Sequence, residues 1–133
     1  MKTFSKSPKS VAIAIAVLFL MLFACKKGKE ASPSPKANEM VSISLIGLKS
    51  DGGYAYKIGF NLPVTGDVEN NPTCSKLILF ENGVELPTPH SNHQSIRDFG
   101  QGQYSHWGTE LYFSASDNTN PLLNGRKYSY IIK

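Results

Sequence analysis

Residues 54–62, with the sequence YAYKIGFNL, decide the fold of this chain. Every second residue from Tyr54 to Leu62 is aromatic or branched aliphatic, and the residues between them are small or polar. A period of two is typical of a β-strand that turns one face towards a hydrophobic core. Pro63 follows directly and ends the pattern, because proline cannot donate a ladder hydrogen bond. The stretch therefore predicts a strand whose even-numbered side chains lie in a core.

The segment before this strand has a strand pattern that changes phase. Apolar residues alternate with serine from residue 41 to residue 45, and the apolar set then shifts by one position next to Gly47. Such a shift predicts either a β-bulge or a switch of the chain to another sheet. The sequence SDGG at residues 50–53 predicts a turn, since glycine adopts positive φ without strain.

The segments after residue 63 continue the β pattern. The strongest signal is Asn82-Gly83, which lies between two apolar segments and predicts a two-residue hairpin turn. A long loop is expected at residues 65–73, and residues 117–125 are expected to turn the chain. The strands predicted on this side are residues 76–80, 84–86, 110–116 and 126–132.

Residues 87–108 differ from the rest, because they are polar and long for a connection in a compact domain. Connections of this kind either contain short strands or serve binding, and residues 96–99 and 103–106 are the candidate short edge strands. No helical pattern longer than one turn appears after residue 25. The chain is thus predicted to be all-β, with a single two-sheet β-sandwich at residues 39–133.

One short motif resembles a known family. Leu122, Asn124, Gly125 and Tyr128 resemble the Leu-x-Pro-Gly-x-x-Tyr corner of fibronectin type III domains, with asparagine in place of proline. The resemblance implies an immunoglobulin-like or fibronectin type III-like sandwich in which the tyrosine hydroxyl bonds to the backbone. That family adds one more strand after this point, so the sandwich is expected either to end with residues 130–133 or to leave an open strand edge.

The N-terminus has the pattern of an export signal. Three lysines precede fourteen apolar or small residues at positions 11–24, and Ala24 is the small residue before a cleavage site. As a helix this run extends about 21 Å, which is short of the roughly 30 Å hydrocarbon core of a bilayer. A cleaved signal helix is therefore favoured over a membrane-spanning one.

The end of this run resembles a second family. Leu22-Phe23-Ala24-Cys25 resembles the lipobox of bacterial lipoproteins, which implies a signal peptide at residues 1–24 and lipidation of Cys25. The membrane partner would then be lipid, held through the acyl chains of Cys25. Lys26 after the cysteine resembles an outer-membrane address. An uncut signal anchor and an ordinary secretory signal are the alternatives.

Residues 25–38 read as a flexible Lys/Ser/Pro tether, since they lack apolar periodicity. Most of the basic charge lies in these first segments. Seven lysines and one glutamate give residues 1–37 a charge of +6, whereas seven Lys or Arg and nine Asp or Glu give residues 38–133 a charge of −2. The domain therefore has no basic face for nucleic acid. With Cys25 lipidated, Cys74 has no disulfide partner in the chain.

The candidate ligand-binding residues are aromatic and polar residues of the 87–108 segment. Aromatic faces stack on sugar rings, while nearby arginine, asparagine and glutamine side chains bond hydroxyl groups, so this composition suits a glycan. The alternative is that the tryptophan only caps the sandwich core. The candidate residues are Tyr104, His106, Trp107, Arg97 and His93.

Metal and catalytic signals are weak. His90-x-x-His93 with His106 and Asp98 has the residue types of a zinc site but not a known spacing, so no metal site is expected. Oxygen ligands for calcium occur at residues 117–120, where a turn is the favoured interpretation. No nucleophile with a positioned base, paired carboxylates or phosphate-binding loop appears, so we expect neither a cofactor nor catalysis.

The sequence therefore predicts a non-enzymatic lipoprotein of the bacterial cell envelope, anchored in the outer membrane on its periplasmic or surface face. Its sandwich is expected to bind a glycan or a protein partner. Two alternatives remain open: a structural or assembly subunit that pairs through an open strand edge, and the N-terminal accessory domain of a longer secreted enzyme.

Overall fold

A computed structural model describes residues 36–62 and 64–133, which belong to one compact unit of the chain. The predicted signal peptide, the lipidation site at Cys25 and most of the tether lie outside the described residues. The elements are β1 (Val41–Ser42), β2 (Lys49–Gly52), β3 (Ala55–Gly59), β4 (Leu77–Glu81), β5 (Val84–Glu85), α1 (His93–Asp98), β6 (Tyr104–Trp107), β7 (Glu110–Phe113) and β8 (Tyr128–Ile132).

The strands form two antiparallel four-stranded sheets, which agrees with the predicted all-β class. The first sheet has the strand order β1-β8-β4-β5 and the second has the order β2-β3-β7-β6. Alternate residues of β4 and β8 point inwards and meet side chains of β3, β6 and β7 in one apolar cluster. Contacts such as the 5.0 Å approach of the Phe113 and Tyr128 rings join the two sheets across this core.

The strand predicted from residues 54–62 is β3, which is shorter than expected. Ile58 is buried in the main core, and Tyr56 packs against it, as the period of two predicts. Tyr54 was predicted to lie on the same face, but it lies in a turn and the residue is 43% exposed. Ala55 was predicted to face solvent and is instead buried, because α1 covers that side of the second sheet.

The phase change near Gly47 is a switch between the sheets. β1 pairs with β8 in the first sheet, whereas β2 pairs with β3 in the second, and Gly47 lies between them at φ 88°. One prediction here was wrong in part. Residues 50–52 belong to β2 rather than to a turn, because Ser50 and Gly52 pair with β3 on either side of a bulge, and the turn is limited to Gly53 and Tyr54.

The hairpin predicted at Asn82-Gly83 joins β4 and β5. Both residues have positive φ, 49° and 80°, as a type I′ turn requires. The register pairs Glu81 with Val84 across the two-residue loop. Predicted strands 110–116 and 126–132 correspond to the shorter β7 and β8.

The 87–108 segment contains a helix that was not predicted. Residues 96–99 were expected to form an edge strand, but His93–Asp98 is α1 and Phe99 is its C-cap. The Asn92 side chain accepts a hydrogen bond from the Gln94 N–H and caps its N-terminus. Only Ile96 of this helix is fully buried, so six residues offer no apolar periodicity to detect. The predicted strand at 103–106 is β6.

None of the helices in the described part of the chain is long and apolar enough to span a membrane.

The tyrosine corner inferred from residues 122–128 is not formed as the resemblance implied. The Tyr128 hydroxyl donates to the Glu81 carboxylate at 2.9 Å, and Asn124 donates to that hydroxyl at 3.2 Å. The tyrosine therefore bonds to side chains rather than to the backbone. The strand order also differs from the immunoglobulin order, which places the last strand beside the preceding one. Here β8 lies between β1 and β4.

Candidate functional site

A cleft of about 500 Å³ opens between α1, β6 and the loops that precede β4 and α1. This volume lies within the range of small-molecule sites. Its wall combines one large aromatic ring with hydroxyl, amide, imidazole and guanidinium groups. The lining residues are Pro72, His90, Ser91, Asn92, His93, Gln94, Arg97, Ser105 and Trp107.

Strand β6 divides the predicted site residues between two faces of the sheet. Ser105 and Trp107 line the cleft, whereas Tyr104 and His106 point into the sandwich and are almost fully buried. Side chains alternate along a strand, so neighbours in the sequence cannot share one face. The structure therefore brings together Trp107, His93 and Arg97, and it excludes Tyr104 and His106 from the cleft.

Three aromatic rings pack together beside α1. The His93 ring stacks on Tyr112 with 3.8 Å between ring centroids, and it is T-shaped to the Trp107 ring with 5.6 Å between centroids. Trp107 also packs against the small apolar cluster beneath α1, so it both lines the cleft and covers part of the core. Burial, with Arg97 nearby, lowers the pKa of His93. Burial and the hydrogen bond to Glu110 raise the pKa of Tyr112 to about 12.

Arg97 holds the helix against the second sheet. Its Nε donates to the Asp51 carbonyl at 2.8 Å and its Nη2 to the Asp51 carboxylate at 2.6 Å. Lys57 lies 3.4 Å from the same carboxylate. The guanidinium is thus largely committed to the protein, and Arg97 contributes a wall of the cleft more than a free cation.

One cleft residue, His90, is paired with a buried carboxylate that no sequence signal indicated. His90 Nδ1 lies 2.8 Å from Oδ2 of Asp67, whose side chain is completely buried. The two residues lie in different loops and are 23 positions apart, so neither periodicity nor a motif links them. Gly66 allows the close approach of the Asp67 loop to β6, because a Cβ there would lie 2.4 Å from the Gly108 carbonyl oxygen.

His106 takes part in an interior polar contact rather than in the cleft. Its Nδ1 lies 2.9 Å from the Ser75 hydroxyl, and its ring meets Phe60 edge-on. Its Nε2 is buried and has no hydrogen-bond partner among the described residues. Burial lowers the pKa of His106, and the nearby Asp67 charge opposes this only in part.

The metal alternatives receive no support from side-chain geometry. Within residues 36–62 and 64–133, no group of three or more His, Cys, Asp or Glu side chains is arranged to hold a metal ion. The calcium candidates are committed to turns: Asp117 accepts from Thr119, Asn118 accepts from the Gln101 N–H, and Asn120 accepts from the Leu122 N–H.

Comparison of the chain with protein-family models, curated proteins and solved structures found no match. The cleft is therefore interpreted from its own chemistry. It offers an indole ring for an apolar face, several short hydroxyl and amide groups for polar atoms, and one imidazole held by a buried carboxylate.

Proposed function

We propose that the chain is a non-enzymatic, lipid-anchored lipoprotein of the bacterial cell envelope whose sandwich domain binds a glycan in the cleft beside α1. The observation that carries the glycan assignment is the position of Trp107. Its indole lines a polar cleft together with Ser91, Asn92 and Gln94. A sugar ring has apolar C–H faces and polar edges, so it matches an aromatic surface surrounded by hydroxyl and amide groups.

Binding to a glycan array, followed for the purified protein, tests this proposal. We expect Trp107→Ala to weaken binding at least tenfold, because it removes the stacking surface. Phe99→Ala is the matched control, since Phe99 is an aromatic side chain that is 63% exposed and lies outside the cleft lining. Equal loss in both variants, or no loss in either, contradicts a binding role for Trp107. A stable pull-down complex with an envelope protein and no glycan signal would favour a protein partner.

The lipid anchor is proposed from the lipobox resemblance at residues 22–25. We expect Cys25→Ser to release the protein from the membrane fraction and to abolish incorporation of labelled palmitate, because the sulfur that carries the lipid is gone. Cys74→Ser is the control and leaves both readouts unchanged. Wild-type protein without the label, or equal membrane association of Cys25→Ser, would contradict the anchor and with it the outer-membrane localisation.

Assembly through an open strand edge is the second hypothesis, and three of the four sheet edges in the described residues, those formed by β1, β5 and β6, give it little support. β1 and β5, at the edges of the first sheet, have only two residues each. The outer edge of β6 is occupied, since Tyr104 N–H donates to Thr88 and Gly108 N–H donates to Asp67. Short and covered edges oppose pairing with another chain. A role as the accessory domain of a longer secreted enzyme remains a hypothesis of the sequence alone.

The immunoglobulin-like or fibronectin type III-like assignment is a hypothesis that rests on the sequence resemblance of residues 122–128 alone, since the strand order and the partner of the Tyr128 hydroxyl both depart from that family. The proposed binding function does not depend on it, because the cleft is formed by α1 and the loops packed on the second sheet.

A further inference from the structure

We propose that His90 recognises a hydroxyl group of a neutral saccharide in the cleft, and that Asp67 positions His90 for this contact by fixing which ring nitrogen carries the proton. The inference rests on the proposed glycan-binding function and specifies the polar half of that site. Trp107 supplies a surface for a ring but does not select among hydroxyl positions. The imidazole of His90 supplies a single directed hydrogen-bonding atom.

Hydrogen bonds to both its side chain and its backbone hold Asp67 in place. Its Oδ1 accepts the Ser75 N–H at 2.9 Å and its Oδ2 faces His90 Nδ1 at 2.8 Å. Its backbone N–H donates to the His106 carbonyl, and its carbonyl accepts from the Gly108 N–H. An ionised carboxylate can only accept hydrogen bonds. Where Asp67 is the carboxylate of the pair, the proton between Asp67 and His90 lies on His90 Nδ1.

Fixing the proton on Nδ1 defines what His90 presents to the cleft. In a neutral imidazole with Nδ1–H, the other nitrogen is a hydrogen-bond acceptor. The His90 side chain lines the cleft and is 25% exposed, and no side chain or backbone group in the described residues bonds its Nε2. A ligand hydroxyl can donate to this nitrogen, whereas a group without an O–H or N–H cannot.

The charges around the cleft favour a neutral ligand. Arg97 is the only Lys, Arg, Asp or Glu among the lining residues, and its guanidinium is paired with Asp51. Lys57 lies against the same carboxylate. Asp67 is screened from the cleft by His90 and is fully buried. A charged ligand, whether anion or cation, would therefore find no unpaired opposite charge in the cleft.

Two substitutions separate recognition from folding. His90→Asn removes Nε2 and suits the backbone, because His90 has φ 55° and asparagine tolerates this left-handed region. Asp67→Asn keeps an oxygen for the Ser75 N–H but places an NH₂ against His90 Nδ1. The imidazole proton then moves to Nε2, which becomes a donor. Glu69→Gln is the control, since it removes an exposed carboxylate from the same loop.

The probes are the methyl glycosides of glucose, galactose, mannose and N-acetylglucosamine, each compared with its monodeoxyfluoro analogues by saturation-transfer NMR at pH 8. Fluorine is close to hydroxyl in size but cannot donate. For a glycoside that the wild type binds, we expect one fluoro analogue to bind at least tenfold more weakly, and His90→Asn to lose this discrimination. Asp67→Asn should reduce the difference in affinity between the glycoside and this fluoro analogue to within about threefold. The reason is that Nε2–H is a donor and no longer requires a hydroxyl donor on the ligand.

Long-range ¹H–¹⁵N correlation spectra provide a readout without ligand. They should show the His90 proton on Nδ1 in the wild type and in Glu69→Gln, and on Nε2 in Asp67→Asn. A wild-type proton on Nε2, or a hydroxyl-to-fluoro ratio that Asp67→Asn does not change, overturns this inference. If Trp107-dependent glycans bind on the array but none of the four glycosides does, the inference also fails and the proposed function stands. No Trp107-dependent glycan on the array overturns both.

Discussion

We expect Glu81→Ala to lower the free energy of unfolding by about 3 kcal/mol, because it removes the acceptor of a nearly buried polar network. Glu81 accepts hydrogen bonds from the Ser116 hydroxyl and N–H, from the Tyr128 hydroxyl and from Arg126 Nη1. These groups tie the end of β4 to the loop after β7 and to the start of β8. Without Glu81, the Tyr128 hydroxyl and the guanidinium would lose a partner in a poorly solvated place.

Urea denaturation measures this loss, and Glu85→Ala provides the matched control. Glu85 lies on the neighbouring strand β5 and is exposed, so its removal should change stability by less than about 0.5 kcal/mol. A Glu81→Ala variant as stable as Glu85→Ala would show that the network is solvated in the native protein and does not hold the strands together.

The second large effect is a loss of stability in weak acid, caused by His106 and His93. Burial lowers the pKa of both imidazoles in the folded protein, so the folded state favours the neutral forms. The unfolded chain binds protons below the ordinary histidine pKa of about 6.5. The free energy of unfolding should therefore fall as the pH drops below that value, with a slope of at most about 1.4 kcal/mol per pH unit for each histidine.

Denaturation curves from pH 7.5 to pH 5.5 test this linkage. We expect His106→Gln to reduce the slope, whatever its effect on stability at pH 7.5, because glutamine does not titrate. The carboxylate of Glu81 does not interfere in this window. Burial raises its pKa, but the hydrogen bonds from Ser116, Tyr128 and Arg126 outweigh burial and leave it below the ordinary value, so its contribution is lost only at lower pH. An unchanged slope in His106→Gln would contradict the assignment.

The strands were predictable where apolar residues alternate or form a short continuous run. β4 was predicted from the apolar run at residues 76–80 and from the Asn82-Gly83 turn after it. The switch between sheets at Gly47 was also visible as a change of phase. The strands are shorter than their patterns, because a residue such as Phe60 packs against the core beyond the last ladder pair.

The candidate site was predictable only in part, for a geometric reason. Trp107 and Arg97 were identified by residue type, but a run of neighbours such as Tyr104 to Trp107 was treated as one surface although a strand divides it. α1 was missed because its six residues contain one buried side chain. Asp67 and His90 come together only through the packing of two loops, and local sequence carries no information on such contacts.

The central claim is that a glycan occupies the cleft against Trp107, and tryptophan fluorescence tests it most directly. Trp107 is the only tryptophan in the chain, so emission excited at a wavelength that tyrosine does not absorb reports from the cleft wall alone. Titration with the four methyl glycosides and with the oligosaccharides of the array should give a saturable change of emission for at least one compound. The same titration of His90→Asn should require at least tenfold more of it. Constant emission of the folded protein with every compound would contradict the claim.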